Sequence, residues 1–233
     1  MVCLPCATED ARVAAVAVEE GPVANNKGKT MDSLPVYFMK TKVRLQTSSL
    51  LNERFKLNTD GLEEKFLRLL TIWKKQEKKI IKGLEKITGL SFLRNYIDIF
   101  LINPDNAPSI SHPAIVKVDD NENKTIRTII HELIHSLMWD NKEKVNWSAK
   151  IHKLFKNENR KTAIHIAVHA ILEAVYTDIL KKPDDIIKDI KESQKRSDYK
   201  RAWEIVKKEG YKNIIDKLKS SLRFHDKMYY LEN

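Results

Sequence analysis

The sequence predicts an α+β fold, predominantly helical, in which a small antiparallel sheet packs on a motif-bearing helix and on a second, buried helix, with further helices appended at the C-terminal end. Three observations predict it. Apolar residues recur at steps of three and four in one stretch after another from Leu62 onward, the period of amphipathic helices. Only three short stretches read as strands. Glycine is scarce, six in 233 residues, while lysine and arginine reach 42, as expected of long helices with charged outer faces.

Residues 1–30 differ in composition from everything that follows. Ala and Val dominate, the acids are Glu9, Asp10, Glu19 and Glu20, and the first lysine is Lys27. With neither a basic start nor an uninterrupted apolar run, this reads as a disordered leader rather than a signal peptide. A start at Met31 is an alternative that the mass of the native protein would test. Around Val43 and Leu45, apolar residues alternate with Lys42, Arg44 and Gln46, a strand with one wet face. Asn58 or Asp60 then opens a helix to about Ile87, ended by Gly89. Its buried stripe is Leu62, Phe66, Leu69, Leu70, Trp73, Ile80, Ile81 and Leu84. Tyr96 to Ile102 is a β-rich run closed by Asn103-Pro104. A loop follows to Pro113, carrying His112, read as exposed. Ala114 to Val118 is a short strand that the neighbouring proline assigns to an edge, where main-chain hydrogen bonds could hold an extended peptide.

Thr128 to Ser136 contains His131-Glu132-Leu133-Ile134-His135, an H-E-x-x-H pattern. On a helix this spacing stacks the two imidazoles one turn apart on one face, while Glu132 projects about 100° away. Ile126, Ile129, Ile130, Leu133, Ile134, Leu137 and Met138 supply the apolar stripe of that helix, and both histidines lie beside it. Asp120, Asn121 or Asn123 caps its start, and Asp140-Asn141 is its stop. A short helix from Trp147 to Phe155 follows.

Arg160 to Leu180 is the second informative stretch. From Thr162 to Leu172 it has no formal charge and is apolar on nearly every side, so the helix is expected to be buried. His165, His169 and Glu173 fall at i, i+4 and i+8 within it. Burying such groups without partners costs several kcal/mol, and a shared metal would satisfy them. His131 and His135 provide two ligands for one Zn2+ per chain. The third is open among His169, which is favoured, Glu173 and His165. Glu132 is the expected general base on a zinc-activated water, and Tyr176 a candidate donor to the oxyanion. Helices beginning at Pro183, Ser197 and Tyr211 complete the chain as a basic, amphipathic appendage.

The order of strands, H-E-x-x-H helix and second ligand-bearing helix, over roughly Asn95 to Leu180, resembles the zincin metallopeptidases. It is most similar to the compact glutamate-zincins and their single-domain minigluzincin forms. The resemblance implies a zincin-like peptidase domain over residues 31–182, with residues 183–233 packed on it. It also implies an antiparallel edge strand that aligns a peptide or protein substrate. The chain departs from that group at Thr177, where an acidic residue often stands four positions after the ligand glutamate, and in its paired His165 and His169. No H-x-x-G-x-x-H follows His135, so the metzincin pattern is absent.

Composition bounds the remaining classes. With 42% hydrophobic and 32% charged residues the chain reads as globular. No run of about 18 apolar residues occurs, so no transmembrane helix is expected. A net charge of +10 leaves nucleic acid open as a partner, through a DNA-associated peptidase resembling the SprT group, but not favoured. The lysines alternate with acids at helical spacing and read first as a solvated face. A non-catalytic helical module with a structural metal is the reading from another class. Cys3 and Cys6 are the only cysteines, too few for a disulfide framework or a complete cysteine zinc site, which fits a reducing, cytoplasmic interior.

Overall fold

The 27-residue helix α1 (Leu62–Thr88) separates the first two strands, β1 (Lys42–Gln46) and β2 (Tyr96–Ile102), and this connection sets the direction of the sheet. The computed structural model describes residues 41–48, 51, 53, 60–103, 110–111, 113–143, 145 and 147–229. The leader, Cys3, Cys6, Met31 and His112 lie outside the described residues.

The remaining strands are β3 (Ile110–Ser111) and β4 (Ala114–Lys117), and the sheet order is β1-β2-β4-β3. β1 pairs with β2 and β2 with β4 in parallel, with Val43 opposite Ile97 and Leu101 opposite Val116. Only the two-residue β3 runs antiparallel, against the start of β4. The expected antiparallel sheet is therefore corrected to a mainly parallel one. A helical crossover such as α1 returns the chain to the end where it began, so the next strand points the same way. The edge position expected for β4 is also corrected. β4 lies between β2 and β3, and Pro113 precedes the strand, where it removes no bond from the ladder. β3 nevertheless pairs only with Ala114 and Ile115. At the opposite edge, Glu77 of α1 accepts the Val43 N–H at 2.7 Å.

The helices follow as α2 (Glu122–Asp140), α3 (Trp147–Leu154), α4 (Arg160–Ala174), α5 (Pro183–Ser193), α6 (Ser197–Glu209) and α7 (Tyr211–Tyr229). The protein is an α+β fold, mostly helical. One continuous core joins Leu69, Trp73 and Leu84 of α1 to Ile99 and Leu101 of β2, to Ile130 and Leu133 of α2, and to the apolar side chains of α4. It also takes in Ile186, Trp203, Val206 and Ile214, so the C-terminal helices are built into the same core. Met39–Asn233 is one compact unit.

α4 is encased, as its composition demands. Ile166, Ala167, Val168, Ala170 and Ile171 are all fully buried. Arg160–Leu180 is, among the described residues, the one helical segment long and apolar enough to span a bilayer, yet 67% of its most apolar window is buried inside the protein. Its last turns, Val175–Leu180, widen into a π-helix that ends at Lys181 in the left-handed region, φ 61°. Gly83 of α1 makes room for that segment. A Cβ at this position would stand 2.9 Å from both Cγ1 and Cγ2 of Ile179.

Candidate metal centre

Two capped helices present the histidines. The Asn121 side chain accepts the backbone N–H groups of Asn123 and Lys124 and starts α2. Asn159 accepts the Thr162 N–H at 2.9 Å and starts α4. Ile129, Ile130, Leu133 and Ile134 are fully buried, which turns the adjoining face of α2, with His131 and His135, partly toward a cleft.

The Nε2 atoms of His131 and His135 lie 3.2 Å apart. Two nitrogens on a tetrahedral zinc, each about 2.0–2.1 Å from the ion, are separated by about 3.3 Å. The H-E-x-x-H pair is thus already at the bite of a zinc ion. His165, from α4, completes the group: ligand atoms of the three histidines all lie within 4.8 Å of one another. Its Nδ1 donates to the Lys161 carbonyl oxygen at 2.7 Å. That bond fixes the tautomer and leaves the Nε2 lone pair for a metal.

Burial holds the pKa of His131 well below its usual value, with the neighbouring imidazoles adding to the effect. His169 is lowered in the same way, and His165 is lowered by burial against the opposing pull of the Lys161 carbonyl. Neutral imidazoles are the form that binds metal. The imidazoles of His131, His135 and His165 together could hold a metal ion, and one of them, His131, lines the adjoining cleft.

His169, the third ligand favoured from sequence, stands just outside the group of three. Its ring is 5.7 Å from His165 and 6.0 Å from His131, centre to centre, and stacks on Trp203 at 4.5 Å. Its Nδ1 is buried without a hydrogen-bond partner. An orphaned buried N–H is rarer than an unused acceptor, which assigns the proton of the neutral ring to Nε2. Glu173 is half-buried and is not brought into the group. Burial raises its pKa, opposed by Lys207 of α6. The difference between these side chains is helix rotation. His165 and His169 are one turn apart, and the angle at which α4 meets α2 decides which of them reaches the pair.

The cleft measures about 390 Å³ and is lined by Lys117 of β4, by Arg127, His131 and Glu132 of α2, and by His169 of α4. Arg196 and Tyr199 close it from the α5–α6 region. Tyr176 does not line it. That phenol is buried, and its pKa is raised by desolvation. Tyr199 lines the cleft instead, with its ring 4.2 Å from that of His165 and its hydroxyl pKa raised by burial. The sequence reading missed Tyr199 and Trp203 because α6 read as packing. Their aromatic i, i+4 spacing on an amphipathic helix was the available signal.

In the wall of the cleft, Arg127 is 2% exposed and forms ion pairs with Asp189 at 3.5 Å and Glu192 at 3.0 Å. Asp189 accepts the Trp203 indole N–H at 3.1 Å. Burial pushes the Asp189 carboxyl upward, against the pull of Arg127. A continuous set of contacts therefore runs from Arg127 through Asp189 and Trp203 to the His169 ring.

Comparisons with protein-family models, with curated proteins and with solved structures find no match for this chain. The functional reading rests on the site itself.

Proposed function

We propose that the chain is a zinc-dependent peptidase, with His131, His135 and His165 as ligands and Glu132 as general base. The observation that carries this reading is the convergence of three imidazoles from two helices, one of which, His131, lines a cleft together with Glu132. The 3.2 Å spacing of the first pair and the fixed tautomer of His165 support it. A structural metal site is closed by protein ligands, whereas this group has three and adjoins open space.

Zinc, when bound, supplies a Lewis acid that makes water nucleophilic near neutral pH and polarises a carbonyl group. Glu132 accepts the proton of the attacking water and returns it to the leaving amine. His169, neutral and stacked on Trp203, directs its Nε2–H at the carbonyl oxygen as that atom gains charge. Tyr199 keeps its proton and adds a second donor to the same wall. The scarcity of cysteine supports a reducing, cytoplasmic setting for this activity.

The test is cleavage of a diverse peptide library by the zinc-loaded protein and by Glu132→Gln at equal zinc content. Cleavage by the parent, with kcat lower by about 10²–10⁴ in the variant, supports the reading. Absence of zinc binding, or equal cleavage by both, overturns it.

A further inference from the structure

We infer that the cleft selects peptides bearing a carboxylate side chain close to the scissile bond, held by Arg196 and Lys117; this rests on the peptidase reading above. Four cationic side chains line the cleft: Lys117, Lys124, Arg127 and Arg196. Two are already neutralised. Lys124 pairs with Asp119 at 2.5 Å, and Arg127 pairs with Asp189 and Glu192. Arg196 and Lys117 form no ion pair with an acidic residue among the described residues. The Arg196 guanidinium lies 5.2 Å from the centre of the Tyr199 ring, which gives it a flat support without cancelling its charge. It lines the same cleft as His131.

Outside its ion pairs the cleft thus holds two cations against the single Glu132 carboxylate before any metal enters, and a divalent ion adds to the positive side. A cavity with low-dielectric walls focuses such a field and raises the local concentration of anionic ligands. The guanidinium matches a carboxylate with two parallel hydrogen bonds. The occupant is a compact anion rather than a polyanion, because the Glu132 carboxylate shares the lining and would repel a continuous phosphate backbone. A peptide with one or two Asp or Glu residues satisfies both conditions.

The experiment uses three fluorogenic peptides that differ only in carrying Glu, Gln or Lys beside the cleaved bond, with the zinc-loaded full chain. Binding is measured separately by calorimetry on zinc-loaded Glu132→Gln, so the order of affinities does not depend on turnover. We expect the Glu peptide to exceed the Gln peptide about tenfold in kcat/KM and in affinity. That ratio should shrink as ionic strength rises from about 0.05 M to about 0.5 M. Arg196→Glu, at an exposed position, should reverse the order in favour of Lys, and Lys117→Gln should lower the Glu-to-Gln ratio. Equal affinities for Glu and Gln peptides, an order unmoved by Arg196→Glu, or single-stranded DNA displacing the peptide at lower concentration would each overturn the inference. Binding with this order but without cleavage by the parent would sustain the anion subsite and overturn the peptidase reading. Cleavage without charge preference would do the opposite.

Discussion

His165 donates its Nδ1 hydrogen to the carbonyl oxygen of Lys161, one helical turn earlier, and this 2.7 Å bond leaves its other ring nitrogen with the lone pair that a metal would need. The carbonyl belongs to the first turn of α4. The ring is therefore oriented by a backbone carbonyl of its own helix. His165→Ala should lower zinc affinity by at least 100-fold, a larger loss than the 10–100-fold typical when only an orienting partner is removed. Competition with a chromophoric chelator measures it, and unchanged affinity would remove His165 from the ligand set.

His169 is expected to behave differently although it lies on the same stripe. His169→Gln retains an amide donor and should keep zinc affinity within about threefold of the parent. His169→Ala should lower kcat by about 10²–10³ with a smaller change in KM, as for loss of an oxyanion donor. A collapse of zinc binding in both variants would make His169 a ligand instead.

The depressed histidine pKa values give the metal-free protein a defined pH response. An unfolded histidine protonates near pH 6.5, whereas His131, His165 and His169 stay neutral to lower pH in the fold. Between those limits the unfolded chain binds more protons. This contribution to stability is complete above about pH 7 and is lost as pH falls through 6.5 toward the folded values, at up to about 1.4 kcal/mol per pH unit for each histidine. Thermal melts of metal-free protein from about pH 7.5 to about pH 5.5 should show Tm falling. A flat profile would show that these rings are not buried as described.

Gly83→Ala places a methyl group 2.9 Å from two carbons of Ile179. Inside a helix alanine is otherwise favoured over glycine, by up to about 1 kcal/mol. Overpacking should outweigh that gain and destabilise the protein by about 1–3 kcal/mol in urea unfolding. Adding Ile179→Ala to Gly83→Ala should recover part of the loss. A stabilised single variant would mean that the π-helical segment gives way freely.

Arg127→Met tests the ion pairs in the cleft wall. It leaves Asp189, a largely buried carboxylate, without its strongest charge partner, at a cost of about 3–5 kcal/mol for a broken buried pair. Replacing Asp189 by Asn as well should recover more than half of that cost. Strict additivity of the two changes in denaturant unfolding would deny the coupling.

Much of the site was legible in the sequence because it depends on local periodicity. The His131–His135 pair needs only a helix, which the apolar steps from Ile126 to Met138 predicted; its end at Asp140-Asn141 was legible too, while its cap stayed open among Asp120, Asn121 and Asn123, of which the structure uses Asn121. The stripe of His165, His169 and Glu173 was equally visible. What could not be read was the rotation of α4 against α2, which brings His165 to the pair and leaves His169 against Trp203. Nor could strand direction be read, because alternation in β1 and β2 is the same in either sense and only the course of α1 decides it. Arg196 and Tyr199 come to the cleft through tertiary packing of α6, more than 60 residues after the motif, and local pattern carries no trace of that.

The burial of α4 has a consequence for how the chain is made. During synthesis, Arg160 to Leu180 leaves the ribosome before α6 and α7, two of the helices that cover it. For that interval, the segment with the length and apolarity of a bilayer span is exposed on one side. A nascent chain stalled before Ser197 therefore leaves apolar surface of α4 uncovered, the transient exposure that favours aggregation. The lysine-rich helices that follow do more than complete a wall of the cleft: their timely arrival decides whether α4 becomes the centre of a domain or an aggregation site.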